Sequence, residues 1–129
     1  CGLQLNTLSN YVILKGEKIS QGCRICDCIV FIFAREISIA IVELKSKTVD
    51  SSEIKEKLTN GSEIALNILE GCNNNRIKFE FYHVVLAKRW HSSEYKAVTS
   101  KKIMVRGKRY DIIAKKCGES LSTIISCLK

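Results

Sequence analysis

The sequence predicts an α/β domain in which helices cover a mixed central sheet. Residues 24–34 and 38–45 are dominated by Ile, Val, Phe and Cys, which is typical of strands, and only the surroundings of Arg35 and Glu36 separate them. A helical pattern follows over residues 50–71, and residues 77–87 form another strong strand. A hairpin, a helix and a further strand in this order indicate a layered α/β fold. A chain of 129 residues is expected to form one domain with its own core.

The remaining elements of the first half follow from local signals. Residues 11–14 form a short β-like run, and residues 15–18 are predicted to be a turn. Asp50 and Glu53 have the spacing of a capping box, so Asp50 is the predicted N-cap of the helix that ends at Gly71. Asn60-Gly61 is expected to kink or split that helix.

The second half is predicted from the same signals. His83 lies in the strand of residues 77–87 and is expected to be a satisfied core or rim histidine rather than a ligand. Residues 88–100 are polar, basic and aromatic, and we predict a loop there. Residues 103–105 and 110–114 flank Arg106-Gly107-Lys108-Arg109 and are predicted to form a second hairpin, which a terminal helix follows.

The first hairpin brings charged residues together. If its turn centres on Arg35-Glu36, facing residues have numbers that sum to about 71, so Asp27 faces Leu44 or Glu43. Glu43 and Lys45 emerge on one face because side chains alternate along a strand. Two carboxylates at the end of an apolar hairpin need a partner, and a divalent cation is suitable. A surface ion pair between Glu43 and Lys45 is the alternative.

This arrangement resembles the core of the PD-(D/E)XK nuclease superfamily, in which an Asp at a strand bend precedes Glu-x-Lys on the next strand. The resemblance implies a restriction-endonuclease-like fold with the active site at one edge of a cleft. It implies that Asp27, Glu43 and the backbone carbonyl of Leu44 bind Mg²⁺ or Mn²⁺, and that Lys45 is the catalytic lysine. Glu17 is the nearest candidate for the additional upstream acid of many members, and a flexible turn glutamate is an equally good interpretation of it.

The resemblance also implies an activity and a partner. It implies an endonuclease that hydrolyses phosphodiester bonds in DNA, with homodimers common among small members. This chain departs from the family pattern at two positions, because Cys26 replaces the Pro before the Asp and Lys57 stands where many relatives have a Gln. A non-catalytic nucleic-acid-binding module, or a nuclease-like domain of a larger protein, is the alternative function.

The distribution of charge favours a nucleic-acid partner. The net charge is +8, and residues 84–129 account for all of it with 11 Lys and Arg against three acids. Such a one-sided excess is expected of a protein that binds a phosphate backbone. Trp90 and Tyr95 lie among these charges and either stack on bases or pack onto the sheet. The residues predicted to contact nucleic acid are Lys88, Arg89, Lys101, Lys102, Arg106, Lys108 and Arg109.

The cysteines allow more than one interpretation. There are seven, and the spacing of Cys23, Cys26 and Cys28 is compatible with a zinc or iron–sulfur site. We favour buried thiols, because no second such motif follows; an intracellular disulfide is also compatible. The longest apolar run is far too short to span a membrane, and no signal-peptide pattern is present, so we expect a cytoplasmic location without membrane contact.

Overall fold

The computed structural model describes residues 1–5, 10–19, 24–46, 49–71 and 78–126. Over these residues the chain forms a six-stranded mixed sheet with helices on its faces, so the predicted α/β class is confirmed. The strands are β1 (Tyr11–Lys15), β2 (Cys28–Phe33), β3 (Ile37–Lys45), β4 (Phe79–Ala87), β5 (Lys102–Val105) and β6 (Lys108–Lys116). The helices are α1 (Gly16–Ile19), α2 (Ser51–Gly71), α3 (Ser92–Thr99) and α4 (Leu121–Ser126).

The strand order is β1-β2-β3-β4-β6-β5. The first three strands form an antiparallel meander, and α2 then carries the chain to β4, which pairs parallel to β3. β6 pairs parallel to β4, and β5 pairs antiparallel to β6 at the other edge. The carboxyl ends of β3, β4 and β6 therefore lie at one end of the sheet, which we call the site end.

The two faces of the sheet carry separate apolar clusters. Ile39 and Ile41 of β3 pack on the face that α2 and α3 cover. Ala40 and Val42 alternate with them and pack with the residues of α4 on the opposite face. β3 reads as an almost continuous apolar run because it is buried on both faces, as central strands of layered α/β sheets are.

Two sequence predictions hold for α2 and one does not. Asp50 Oδ1 accepts the backbone N–H groups of Ser52 at 3.0 Å and of Glu53 at 3.2 Å, so Asp50 is the N-cap. The helix then runs without a break from Ser51 to Gly71. The predicted split at Asn60-Gly61 is therefore wrong, because Gly61 lets the helix approach the sheet closely instead of ending it.

Three boundaries also differ from the prediction. Residues 88–100 are not all loop, since α3 occupies Ser92–Thr99 and buries Val98. Residues 15–18 are not a simple turn, since β1 ends at Lys15 and α1 begins at Gly16. The strand predicted over residues 24–34 begins only at Cys28. Short helices with few apolar positions give little periodic signal, which explains the first two differences.

His83 lies in the core, one of the two predicted positions, but only one of its ring nitrogens is satisfied among the described residues. Its Nε2 is 2.7 Å from Ser62 Oγ, and the Ser62 hydroxyl donates to the Leu58 carbonyl at 2.8 Å. His83 Nε2–H is therefore the donor to Ser62, and the bare Nδ1 has no partner among the described residues. Burial lowers the pKa of His83 to about 4, so the ring is neutral at physiological pH.

The cysteines play more than one structural role. Cys1 and Cys117 form a disulfide with a Cα–Cα distance of 5.2 Å. Disulfides of this kind persist in oxidising compartments and in intracellular proteins of hyperthermophiles. Cys26 is a buried free thiol, as favoured above, and Cys28 is a half-buried one. Cys23, Cys72 and Cys127 lie outside the described residues, so the alternative metal site of Cys23, Cys26 and Cys28 falls partly outside them.

Within the described ranges, none of the helices combines the length and apolar character needed to cross a bilayer.

Candidate active site

Asp27 and Glu43 come together at the site end of the sheet. Asp27 lies at the bend immediately before β2, and the pairing of Cys28 with Val42 sets it opposite Glu43 near the end of β3. Asp27 Oδ2 also accepts the backbone N–H of Leu44 at 2.6 Å. The register predicted from the hairpin is thus off by one from the observed pairing, and it still identifies the correct neighbours.

Glu43 is a buried acid with one unpartnered oxygen. Its side chain is 1% exposed, and Oε1 has no hydrogen-bond partner within the described part of the chain. Burial raises the pKa of Glu43, and the nearby Asp27 carboxylate raises it further because a second negative charge there is unfavourable. A buried carboxylate oxygen without a partner is costly, so a bound cation or proton is expected at Oε1.

The other oxygen of Glu43 binds two ammonium groups. Lys57 Nζ on α2 lies 3.1 Å from Glu43 Oε2, and Lys45 Nζ on β3 lies 3.2 Å from the same atom. Glu53 Oε1 closes the arrangement, at 3.0 Å from Lys57 Nζ and 3.6 Å from Lys45 Nζ. We call Glu43, Lys45, Glu53 and Lys57 the ion cluster. Its four charges cancel when all are ionised.

The pKa values within the ion cluster reflect this pairing. Partial burial of Lys57 acts to lower its pKa, but hydrogen bonds with Glu53 and Glu43 outweigh it and raise the pKa. The hydrogen bond from Lys57 and the charge of Lys45 lower the pKa of the half-buried Glu53. Lys57 therefore remains an ammonium at any physiological pH.

Close packing between α2 and the bend before Asp27 positions Lys57. A Cβ atom added at Gly61 would lie 2.5 Å from Cys26 Sγ and 2.9 Å from Ile41 Cγ2, which is closer than a side chain can pack. Gly61 follows Lys57 by one helical turn, so the two lie on the same face of α2. The glycine thus allows Lys57 to reach Glu43.

A cavity of about 610 Å³, which we call the end cavity, lies beside these residues. Glu17, the predicted upstream acid, lines it from α1 and is exposed. Asp27 and Lys57 line it as well, whereas Lys45 is not among the described residues that do. Its described lining is Leu3, Leu5, Ile13, Lys15, Gly16, Glu17, Arg24, Ile25, Cys26, Asp27, Cys28, Leu44 and Lys57.

The predicted nucleic-acid contacts divide between the two ends of the sheet. Lys88 and Arg89 follow β4 at the site end, where the Lys88 N–H donates to the Lys45 carbonyl at 3.3 Å. Arg106, Lys108 and Arg109 lie at the opposite end, because β6 begins there and runs parallel to β4.

Ion pairs also distinguish these basic residues. Arg106 pairs with Glu70, Lys108 with Glu80 at 2.9 Å, and Lys102 with Asp111. Within the described ranges, Lys88, Arg89, Lys101 and Arg109 make no ion pair. Lys115 and Lys116, at the carboxyl end of β6 next to Leu86 and Ala87, add two cations at the site end that the sequence prediction omitted.

The two aromatic residues of this region differ in exposure. Trp90 Nε1 donates to the Lys115 carbonyl at 2.8 Å, and its ring packs against the core. Tyr95 contacts Trp90 edge to face at 5.9 Å and is 45% exposed. Of the two alternatives, base stacking and packing onto the sheet, the structure shows packing for Trp90.

The sequence does not predict that Glu53 pairs with Lys45 and Lys57, or that Lys57 pairs with Glu43. The capping-box spacing predicts only a capping role for Glu53, although Glu53 and Lys57 also have the i, i+4 spacing of a helical ion pair. The described residues contain no group of three or more His, Cys, Asp or Glu side chains that could hold a metal ion. Among the described residues, the candidate site has the two carboxylates of Asp27 and Glu43, and the Leu44 carbonyl is the nearest backbone candidate for a third ligand.

Comparison of the chain with protein-family models, with curated proteins and with solved structures yields no match.

Proposed function

We propose that this protein is a metal-dependent endonuclease of the restriction-endonuclease-like fold that cleaves DNA. The observation that carries the proposal is the unpartnered Oε1 of buried Glu43, which lies beside Asp27 at the ends of adjacent strands. An Asp at a strand bend and a Glu-x-Lys at the end of the next strand are the pattern of the PD-(D/E)XK superfamily. The meander β1-β2-β3 and the helical crossover to β4 support a fold of that kind.

The donor set suits a hard cation with few protein ligands. Mg²⁺ is bound in proteins by one or two carboxylates and keeps several waters. Asp27 and Glu43 Oε1 supply the carboxylates, and the Leu44 carbonyl is the candidate third ligand. Glu43 Oε2 is already bonded to Lys45 and Lys57, so it leaves Oε1 for the cation. Mn²⁺ suits the same donors.

The reaction is hydrolysis of a phosphodiester. The oxygen of a water molecule forms a bond to phosphorus, the bond from phosphorus to the leaving ester oxygen breaks, and a proton passes to that oxygen. When bound, the metal ion supplies charge stabilisation and a more acidic water. Lys45 and Lys57 hold Glu43 in place, and their positive charge favours the extra negative charge that develops on the phosphate. Glu17, in the end cavity, is available to orient a water.

We also propose that the Lys and Arg residues at the site end bind the phosphate backbone of DNA. Lys88, Arg89, Lys115 and Lys116 lie at the same end of the sheet as Asp27, so we expect DNA bound at Asp27 to contact them. Replacement of Lys88, Arg89 and Lys116 by Gln is expected to weaken binding and to flatten its salt dependence by about 0.9 in log–log slope for each lost phosphate contact. The charge-matched control replaces Arg106, Lys108 and Arg109 at the far end. A larger effect of the far-end variant would move the DNA surface there.

Cleavage assays test the proposal directly. Purified protein is incubated with duplex, branched and single-stranded DNA and with RNA, in Mg²⁺, Mn²⁺ or EDTA. We expect metal-dependent cutting that Glu43→Ala and Lys45→Ala abolish while DNA binding survives. Lys55→Ala is the matched control, because Lys55 is exposed on α2 outside the ion cluster. Cutting at the parent rate by both site variants would show that the site is elsewhere.

One observation favours the alternative of a non-catalytic nucleic-acid-binding module. Two ammonium groups already balance Glu43 and Glu53, so the ion cluster is stable without a cation. A binding module of this kind binds DNA equally well in EDTA and in Mg²⁺, and it cuts no substrate. Metal-dependent cutting excludes this alternative.

A further inference from the structure

The end cavity has an apolar side and a charged side. Leu3, Leu5 and Leu44 pack with the cluster on the α4 face of the sheet. Lys57 reaches the cavity from α2 on the opposite face. The cavity therefore crosses the end of the sheet, and a ligand that fills it meets a hydrophobic wall and a cation at once.

Lys57 is the ammonium of the ion cluster that faces this space. Two of its three N–H groups are directed to Glu43 Oε2 and Glu53 Oε1, at 3.1 Å and 3.0 Å. An ammonium has three donors, so one remains for an oxygen in the cavity. Lys15 and Arg24 add two positive charges to the same lining, and Glu17 and Asp27 add two negative ones, so with Lys57 the described lining is basic by one charge. An anionic group such as a phosphate fits this side.

The volume limits what can enter. About 610 Å³ lies within the range of roughly 300–1,000 Å³ that is typical of small-molecule sites. From the cation, the apolar wall and this volume we infer that the end cavity binds one unpaired nucleotide of the substrate, with its phosphate at Lys57 and its sugar and base along Leu3, Leu5 and Ile13.

This inference rests on the proposed nuclease function and names its substrate class. A nucleotide inside the cavity cannot remain stacked in a duplex, so its base has to be splayed out. The preferred substrates are therefore DNA ends, flaps and branch points with an unpaired nucleotide next to the scissile phosphate. A continuous duplex pays the cost of unpairing and is cut more slowly.

Binding of deoxyadenosine 5′-monophosphate in Mg²⁺, measured by calorimetry, tests the cavity apart from catalysis. Ile13→Trp fills the cavity from an edge-strand position that is 38% exposed, and it is expected to raise the Kd by at least about tenfold. Val12→Trp is the matched control, because Val12 is 48% exposed on the other face of β1 and does not line the cavity.

A second pair of variants tests the phosphate contact. Lys57→Gln is expected to raise the same Kd by about tenfold or more, because a charge-assisted hydrogen bond is lost. Lys55→Gln on the same helix is expected to leave it unchanged. Absence of nucleotide binding by the parent protein, or equal Kd values for Ile13→Trp, Val12→Trp and the parent, would overturn the inference.

Cleavage of two labelled duplexes separates this inference from the nuclease proposal. One duplex is continuous, and the other has the same sequence with a single unpaired nucleotide. Faster cutting of the second supports the inference, and equal rates overturn it while the nuclease proposal stands. Nucleotide binding that Ile13→Trp abolishes, without cutting of any substrate, leaves the cavity site in place and overturns the nuclease proposal.

Discussion

Gly61→Ala is expected to destabilise this protein although alanine is the better helix former. In an exposed helix interior the change stabilises by about 1 kcal/mol. Here the new methyl would lie 2.5 Å from Cys26 Sγ and 2.9 Å from Ile41 Cγ2, and both side chains are buried. Overpacking of a tight core costs about 1–3 kcal/mol. We therefore expect a net loss of up to about 2 kcal/mol in the free energy of unfolding.

Urea unfolding followed by the fluorescence of the single tryptophan measures this loss. With a slope of about 1–3 kcal/mol per molar urea, a loss of about 2 kcal/mol lowers the midpoint by roughly 0.7–2 M. Gly71→Ala is the control, since a Cβ atom there meets nothing within 4 Å. In a Cys26→Ala background, which lacks the nearest atom, the penalty at Gly61 is expected to shrink.

The same substitution reports on the site. An outward shift of α2 at Gly61 separates Lys57 Nζ from Glu43 Oε2, which are 3.1 Å apart. Nucleotide binding should therefore weaken in Gly61→Ala and remain normal in Gly71→Ala. If Gly61→Ala is as stable as the parent protein or more stable, the close approach of α2 to the bend before Asp27 is not a packing constraint.

Three further predictions follow from titratable groups and from the disulfide. His83 has a folded-state pKa of about 4, below the ordinary 6.5, so its contribution to stability is fully present above pH 6.5. About 3 kcal/mol of the free energy of unfolding is lost as the pH falls to 4, because the unfolded state then binds a proton more readily than the folded state. Urea unfolding at both pH values measures the loss, and an equal pH dependence in His83→Gln would contradict it. Asp27→Asn is expected to lower the raised pKa of Glu43, as followed by carboxyl NMR, because the neighbouring negative charge is removed. In the parent protein, Mg²⁺ affinity should fall as pH drops through that pKa, and an unchanged Glu43 titration in Asp27→Asn would refute the assigned cause. Reduction of Cys1–Cys117 is expected to lower the free energy of unfolding by about 2–5 kcal/mol, as urea midpoints with and without dithiothreitol will show; Cys1→Ser should match the reduced protein and not respond to the reductant.

The hairpin and α2 were predictable because strong local signals agree with the tertiary structure. The short turn at Arg35-Glu36 fixes which residues of β2 and β3 face each other, and this alone brings Asp27 near Glu43. Asp50 marks the start of α2 by a local hydrogen bond. These features depend on residues that are close in sequence or joined by a short turn, so they can be predicted from a single sequence.

Other features depend on contacts that local patterns do not encode. α3 carries one fully buried side chain, Val98, and its N-cap His91 makes no side-chain capping bond, so the segment resembles a loop in sequence. The disulfide joins residues 116 positions apart, and spacing alone does not identify such a pair. The division of the basic residues between the two ends of the sheet follows from the parallel pairing of β6 with β4, which is a property of the topology.

The covalent link between Cys1 and Cys117 makes a closed ring of the chain that contains all six strands and α1, α2 and α3. A protease that cuts one peptide bond inside this ring opens it without releasing a fragment. The cut protein therefore keeps its mass on a non-reducing gel and separates into two pieces only after reduction. Strands on both sides of a nick stay tethered, so the sheet can survive a break that would dissociate an open chain.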